Sequence, residues 1–422
     1  MNHKFLYLNE NYSHLRCSII IIIEFMKINI LLKLTLLSAI ALSCTSSKSS
    51  DDFEEILSIK ATVNNSQTLL ASDYFDEISY VPLETSDDYL LGYVGRMIVE
   101  NNSIYLMSGK SIYVFDLNTG KGTLNLSKLG NASGEYKSLF DFIVDKKSGN
   151  LELLDNNDRK IYIYDSEGNF LSTHNLPFMP FSFYKKEQNM YSFYNSNLES
   201  KISSAKIVEY DLEHQEKGRE YFPINKKMAE YFFLGDEKIF DYSSKGVYCH
   251  ISPVDTIYKY EEDLGFIPVL HLDFGKNAPP PSFYKNRYAD IMEFSEAAKK
   301  NDYIYALSNF ALNGQDDILF SYRLGKTFFW TLRFGKNEEC TIDALHDDFN
   351  FAKAYHLTYH NSIYSLDDDY LYFLISSEQF VNLLDDGTKT PVVETLVNNT
   401  QITEESNPIV VKCKLKKSLK AI

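Results

Sequence analysis

Short apolar and aromatic runs, each closed by a cluster of Asn, Asp, Gly or Ser, recur along the chain from about residue 95 to residue 415. One run repeats nearly as a phrase. Ser111-Ile112-Tyr113-Val114-Phe115-Asp116 returns as Lys160-Ile161-Tyr162-Ile163-Tyr164-Asp165. It returns again as Lys206-Ile207-Val208-Glu209-Tyr210-Asp211 and as Thr256-Ile257-Tyr258-Lys259-Tyr260. The isoleucines are 49, 46 and 50 residues apart. A period near 50 built from short β-rich segments is the mark of propeller blades.

Placing Phe328 and Ile409 at the fifth and sixth phrase positions predicts a six-bladed, all-β propeller. The two wider intervals, 71 and 81 residues, leave room for insertions. Pro279-Pro280-Pro281 followed by Phe283–Lys300, with Ile291, Phe294 and Ala297 at helical spacing, predicts a helical insertion. Strands are predicted to resume at Tyr303–Leu307, Asp317–Tyr322 and Lys326–Phe334, then at Ala354–Tyr359, Ser362–Leu366 and Tyr370–Ile375. Glu378–Pro408 reads as a long loop or insertion. Near the start, Ile78–Glu84 reads as a strand containing Pro82. Proline cannot donate to a ladder, so this strand belongs on an edge, where it can complete the last blade and close the ring. Asp51–Ser72 is weakly patterned.

The amino-terminal segment predicts an address. From Met26 the chain has a basic start, an apolar stretch and small residues, the order of a signal peptide. Met26 is therefore the expected true start. Glu24, Lys27 and Lys33 interrupt the apolar stretch and argue against one clean membrane span. The expected organisation is a signal peptide over residues 1–44, a tether and lead-in over 45–72, and the propeller over 73–418. Ser43-Cys44 resembles a bacterial lipobox, with Cys44 as the lipid-attachment residue and Ala41 where Leu is commonest. Thr45–Ser50 is almost entirely Ser and Thr, as a flexible tether would be.

Composition narrows the partners. The chain of 422 residues carries a net charge of −16, and its first 44 residues are net basic, so the body is more acidic still. An acidic body repels phosphate backbones, so no nucleic acid is expected as a partner. The 31 Tyr and 29 Phe suit pleated, half-buried sheet surfaces, and ordinary sheet packing is the plain account of them. No two of the five cysteines form a C-x-x-C pair. At most one disulfide can form among Cys249, Cys340 and Cys413, and isolated small buried side chains are the expected reading.

Chemistry-bearing motifs are sparse. Lys128–Tyr136 holds a glycine pair but lacks the Gly-Lys-Ser/Thr ending of a phosphate loop, so it reads as an inter-blade loop. His356 and His360 are four apart in a segment read as a strand, which puts both on one side, yet two histidines do not make a metal site. Asp367-Asp368-Asp369 lacks the spacing of a calcium loop and reads as a solvated turn. There is no G-x-S-x-G elbow. No catalytic residue, metal ligand or cofactor is assigned, and the ligand-binding residues are unknown.

Ile78–Asp165 resembles the six-bladed β-propeller lipoproteins of Bacteroides-type bacteria, with NHL-like repeats. The family opening resembles Val81-Pro82-Leu83-Glu84-Thr85. Its glycine motif resembles Lys128-Leu129-Gly130 through Gly134-Glu135-Tyr136, and its blade phrase resembles Ile112–Asp116 and Ile161–Asp165. Where that family has Gly-Pro-Gly-Glu-Tyr, this chain has Ala132-Ser133-Gly134-Glu135-Tyr136. The resemblance covers roughly residues 70–418 and implies a fold and an envelope location, without an activity. Together these readings give a lipid-anchored scaffold at the outer membrane, partnered by the membrane and by a glycan, a peptide or an outer-membrane protein. The alternative is an envelope enzyme, a lyase or hydrolase acting on glycans or peptides.

Overall fold

The computed structural model describes residues 56–417, apart from 64–65, 188, 233–237, 254, 336, 352 and 385–389. The proposed start at Met26, the signal segment and Cys44 lie outside the described residues. What is described is a six-bladed β-propeller with few helices.

The repeated phrase is the third strand of every blade. Blade I is Val94–Glu100, Ser103–Ser108, Ser111–Asp116 and Gly122–Leu126. Blade II runs through Asp141–Val144, Leu151–Asp155, Lys160–Tyr164 and Phe170–Asn175, and blade III through Ser182–Glu187, Met190–Tyr194, Ala205–Asp211 and Glu216–Pro223. Blade IV comprises Phe240–Ser243, Gly246–His250, Thr256–Glu261 and Gly265–Asp273. Blade V comprises Asn309–Asn313, Asp317–Leu324, Thr327–Phe334 and Cys340–Asp347. Ile112, Ile161, Ile207, Ile257 and Ile409 are all fully buried at the same place in this grammar. In blade V, Phe328 lies in the right strand but is half-buried, and Trp330 two residues on packs edge-to-face on Phe373 of blade VI, with ring centroids 5.1 Å apart.

Blade VI joins the two ends of the propeller. Its first three strands are Tyr364–Leu366, Tyr370–Ile375 and Ile409–Leu415, and its fourth is Phe75–Pro82 from the start of the chain. Pro82 sits opposite Ile409 at the end of this outermost strand, where its missing N–H costs the ladder nothing. Each first strand touches the first strands of both neighbouring blades, and the circuit closes around a central channel.

Six apolar cores lie between successive blades. Val81, Met97 and Tyr372 pack in the VI–I core, and Tyr105, Phe142 and Leu151 in the I–II core. Phe183, Tyr191 and Phe193 fill the II–III interface, and Tyr184, Phe240 and Cys249 the III–IV interface. Much of the abundant Phe and Tyr is thus inter-blade packing. A seventh cluster, centred on Phe283, Tyr288 and Phe294, is the core of the insertion after blade IV. Its helix, Ile291–Lys300, is capped by Asp290, whose carboxylate accepts the Glu293 N–H at 3.0 Å.

Four segments differ from the sequence-based expectation. Tyr303–Leu307 is not a strand; it returns along the helix, Tyr303 N–H donating to Ala298 O and Ile304 N–H to Asn277 O. Lys353–His356 does not begin blade VI but pairs with Cys340–Asp347 as an extra strand of blade V. Glu378–Pro408 holds two helices, Ser377–Leu384 and Pro391–Thr400, seated by buried Phe380, Leu383 and Val393. The weakly patterned lead-in supplies two strands that add in parallel to outer edges: Leu57–Lys60 on blade IV and Gln67–Leu70 on blade V.

Cys249, Cys340 and Cys413 are buried and free, each on a different blade. Burial pushes all three thiols up.

Candidate functional site

The first strands of the blades carry the channel's charges. Arg96 of blade I forms an ion pair with Asp141 of blade II and donates to the Tyr242 hydroxyl of blade IV at 3.2 Å. Asp141 also accepts from Ser182 Oγ at 2.6 Å and from Phe183 N–H at 3.1 Å, which ties blade II to blade III. Lys238, just ahead of blade IV, donates to Asp241 at 2.7 Å and to the Phe310 carbonyl of blade V at 2.9 Å. Asp241 accepts the Leu312 N–H at 3.0 Å. Burial holds the Lys238 ammonium below the usual lysine range, against the pull of Asp241. Burial likewise raises the Tyr242 phenol. Each buried charge here has an opposite charge or several dipoles beside it, the condition under which a buried charge is tolerated.

Arg96, Met97 and Lys238 form a waist in the channel. On one side is a cavity of about 60 Å³ reached by Phe140, Phe181 and Tyr364. On the other, a cavity of about 270 Å³ opens among the loops that join first to second strands. Its rim includes Glu100, Lys146, Ser244, Asp367 and Asp368. Lys146, Tyr242 and Ser243 also line a neighbouring cavity of about 390 Å³ between blades II, III and IV. These three residues are a wall common to both cavities, which lie side by side as two lobes of the channel mouth.

The Asp triplet does structural work at this mouth. Asp367 Oδ1 accepts the N–H of Asp369 at 2.8 Å and of Tyr370 at 2.7 Å, so it is a turn between strands as expected. Asp368 reaches across to Ser244 Oγ at 2.8 Å and Asn313 Nδ2 at 2.9 Å, pinning blades IV, V and VI together. In the second lobe, Lys185 is held by Asp145 at 2.5 Å and Glu152 at 2.6 Å, and Lys186 by Glu209 at 2.9 Å.

The other sequence motifs fall elsewhere. Lys128–Tyr136 is an inter-blade loop as expected, closed by Gly130 N–H on Tyr136 O and by Tyr136 N–H on Lys128 O. Gly134, at φ +76°, lies against the Phe170 ring, and its carbonyl accepts the buried Tyr164 hydroxyl at 2.7 Å, so the glycine is needed for both conformation and close approach. His356 and His360 do not share a strand: His356 ends the extra strand of blade V, and His360 starts a 3₁₀ turn ahead of blade VI. Burial lowers the His360 imidazole's affinity for a proton. Among the described residues, no group of three His, Cys, Asp or Glu side chains is placed to hold a metal ion.

Residues 54–414 match the family described as Domain of unknown function (DUF4934). The chain belongs to that family. No curated protein matches it. Among solved structures, an exported-protein candidate of Bacteroides fragilis is similar over 86% of this chain and 100% of its own, at 20% identity and a TM-score of 0.66. A member of the DUF4221 family from Bacteroides vulgatus aligns over 81% of this chain and 97% of its own, with 13% identity and a TM-score of 0.47. Virginiamycin B lyase from Staphylococcus aureus aligns over 81% and 99%, at 10% identity and a TM-score of 0.40. At 20% identity the first likeness is one of fold alone.

Proposed function

We propose that this DUF4934 chain is a binding propeller of the cell envelope, holding a ligand or a partner protein at the channel mouth and tethered to the outer membrane through Cys44. The observation that carries the binding reading is the two-lobed cleft. It is built from loops of several blades pinned by Asp368, while the charges of the waist below it are locked in pairs. A rigid ring that brings side chains from distant parts of the chain to one mouth suits recognition, and its specificity lies in those side chains rather than in the fold.

Thermal-shift screening of the full chain against polysaccharides and peptides tests the binding reading. A stabilising compound should lose its effect in Ser243→Trp, which fills the junction of the two lobes. A stabilisation unchanged in that variant would place binding elsewhere. The tether is tested by metabolic labelling with a palmitate analogue: wild type should take up label and Cys44→Ala should not, and equal labelling would contradict it.

A further inference from the structure

The 390 Å³ lobe is lined by lysine. In a chain of net charge −16, its wall carries Lys146, Lys147, Lys185 and Lys186, with Asp145 as the only acid among the residues lining it. Lys185 and Lys186 are adjacent in one strand and point to opposite faces. Lys185 turns to Asp145 and Glu152 of blade II, and Lys186 lies 4.5 Å from the ring centre of Tyr260 in blade IV. The pair therefore brackets the lobe. Glu152 and Glu209, their deeper partners, are almost fully buried and do not line it.

Service as counter-ions to buried glutamates accounts for Lys185 and Lys186. It does not account for Lys146 and Lys147. Both are exposed on the loop after the first strand of blade II. Lys146 meets Glu100 at 3.4 Å, and Lys147 has no ion pair among the described residues. The rest of the wall is Ser243 with apolar and aromatic side chains: Ile143, Val144, Tyr184, Tyr242 and Val247.

Resting on the reading of the channel mouth as the ligand site, we infer that this lobe binds an organic anion with an apolar body. The carboxylate or phosphate group sits against the lysines, and the body sits against Val247 and Tyr184. Lysine gives a flexible point charge rather than a fixed fork, so either anionic group is accommodated. The net negative charge of the chain repels anions at long range, so an anion is held only where it touches lysine and apolar wall together.

Isothermal titration of the full chain with phenylbutyrate, phenyl phosphate and phenylbutylamine tests this. The two anions should bind, more weakly at high salt, and the amine should not. Phenylbutyrate against phenyl phosphate tells which anionic group is preferred. Lys146→Gln with Lys147→Gln, both exposed and remote from the cores, should weaken anion binding by about tenfold, the scale expected for two solvent-facing charge contacts. Equal binding of the amine, or anion binding unchanged in the double variant, would overturn the inference. Absence of anion binding would overturn it too. The Ser243→Trp screen reports separately on whether the mouth holds any ligand.

Discussion

Lys185 Nζ lies 2.6 Å from Glu152 Oε1, and the Glu152 side chain is only 1% exposed. The other carboxylate oxygen accepts the Tyr191 hydroxyl at 2.8 Å. Burial alone would lower the lysine's pKa, but the hydrogen bonds it donates to Asp145 and Glu152 more than offset that, so the pKa is raised. Removing one partner of such a pair strands the other charge. Lys185→Met should destabilise the propeller by about 3 kcal/mol, the size expected for an orphaned buried charge. Adding Glu152→Gln should recover part of the loss. Urea unfolding of the single and double variants checks both, and an additive double variant would contradict the pairing.

Closure of the ring gives a second expectation. Tyr80, on the closing strand of blade VI, donates to buried Asp347 of blade V at 2.5 Å. Asp347 also accepts the N–H groups of Phe349 and Asn350. Tyr80→Phe removes a hydrogen bond to a buried carboxylate and should cost about 1.5–3 kcal/mol in unfolding free energy. Phe75→Ala, at the other end of the same strand and fully buried, should cost about 3–5 kcal/mol through the cavity it leaves.

Acid should weaken the fold. Burial would raise the Glu209 carboxyl, yet Lys186, Tyr221 and Arg219 together hold it below the usual range. Asp145 and Asp155 are lowered in the same way, by Lys185 and by Ser138 with backbone N–H groups respectively. A carboxyl depressed in the fold adds stability that is complete above its unfolded value, about pH 4, and is lost as pH falls through the folded value. Asp347 is raised by burial and acts with the opposite sign, returning stability on acidification. Asp116, Asp165, Asp211, Glu220 and Asp348 are lowered as well, so urea midpoints should fall between about pH 4 and about pH 2, with Asp347 offsetting part of the loss. Glu209→Gln should lose less over that interval than wild type.

The buried thiols give a chemical expectation. Cys249, Cys340 and Cys413 should resist alkylation by iodoacetamide in the native protein and all react in urea, as read by peptide mass spectrometry. Reaction of any of them in the native state would contradict its burial.

Much of the fold was legible because the third strand of most blades is buried on both sides, that of blade IV being half-buried beside Ile257. The third strands carry the Ile phrase, and the closing strand was marked by Pro82 at its end. The outer strands of blades II and III were not legible. Glu216–Pro223 and Phe170–Asn175 are largely exposed and lack apolar alternation, and Leu57–Lys60 and Gln67–Leu70 are four residues each, held by pairing rather than pattern. Tyr303–Leu307 has strand-like alternation because it packs an aromatic face on a helix, not on a sheet. The helices after Ile375 had a signal in the spacing of Phe380, Leu383 and Leu384, which the surrounding polar residues obscured. The site was the least legible part. Arg96, Asp141, Lys238 and Asp368 are far apart in sequence and meet only because each stands on or beside a first strand or its loop, so no local motif records them.

Hydrogen exchange of the full chain, with and without whichever compound the thermal-shift screen returns, locates the binding site. Binding at the cleft should slow exchange together in three loops from three blades: 145–147, 243–244 and 367–368. Protection confined to the opposite face, at 156–159 and 195–204, or to the outer strands, would contradict the assignment of the channel mouth as the binding site.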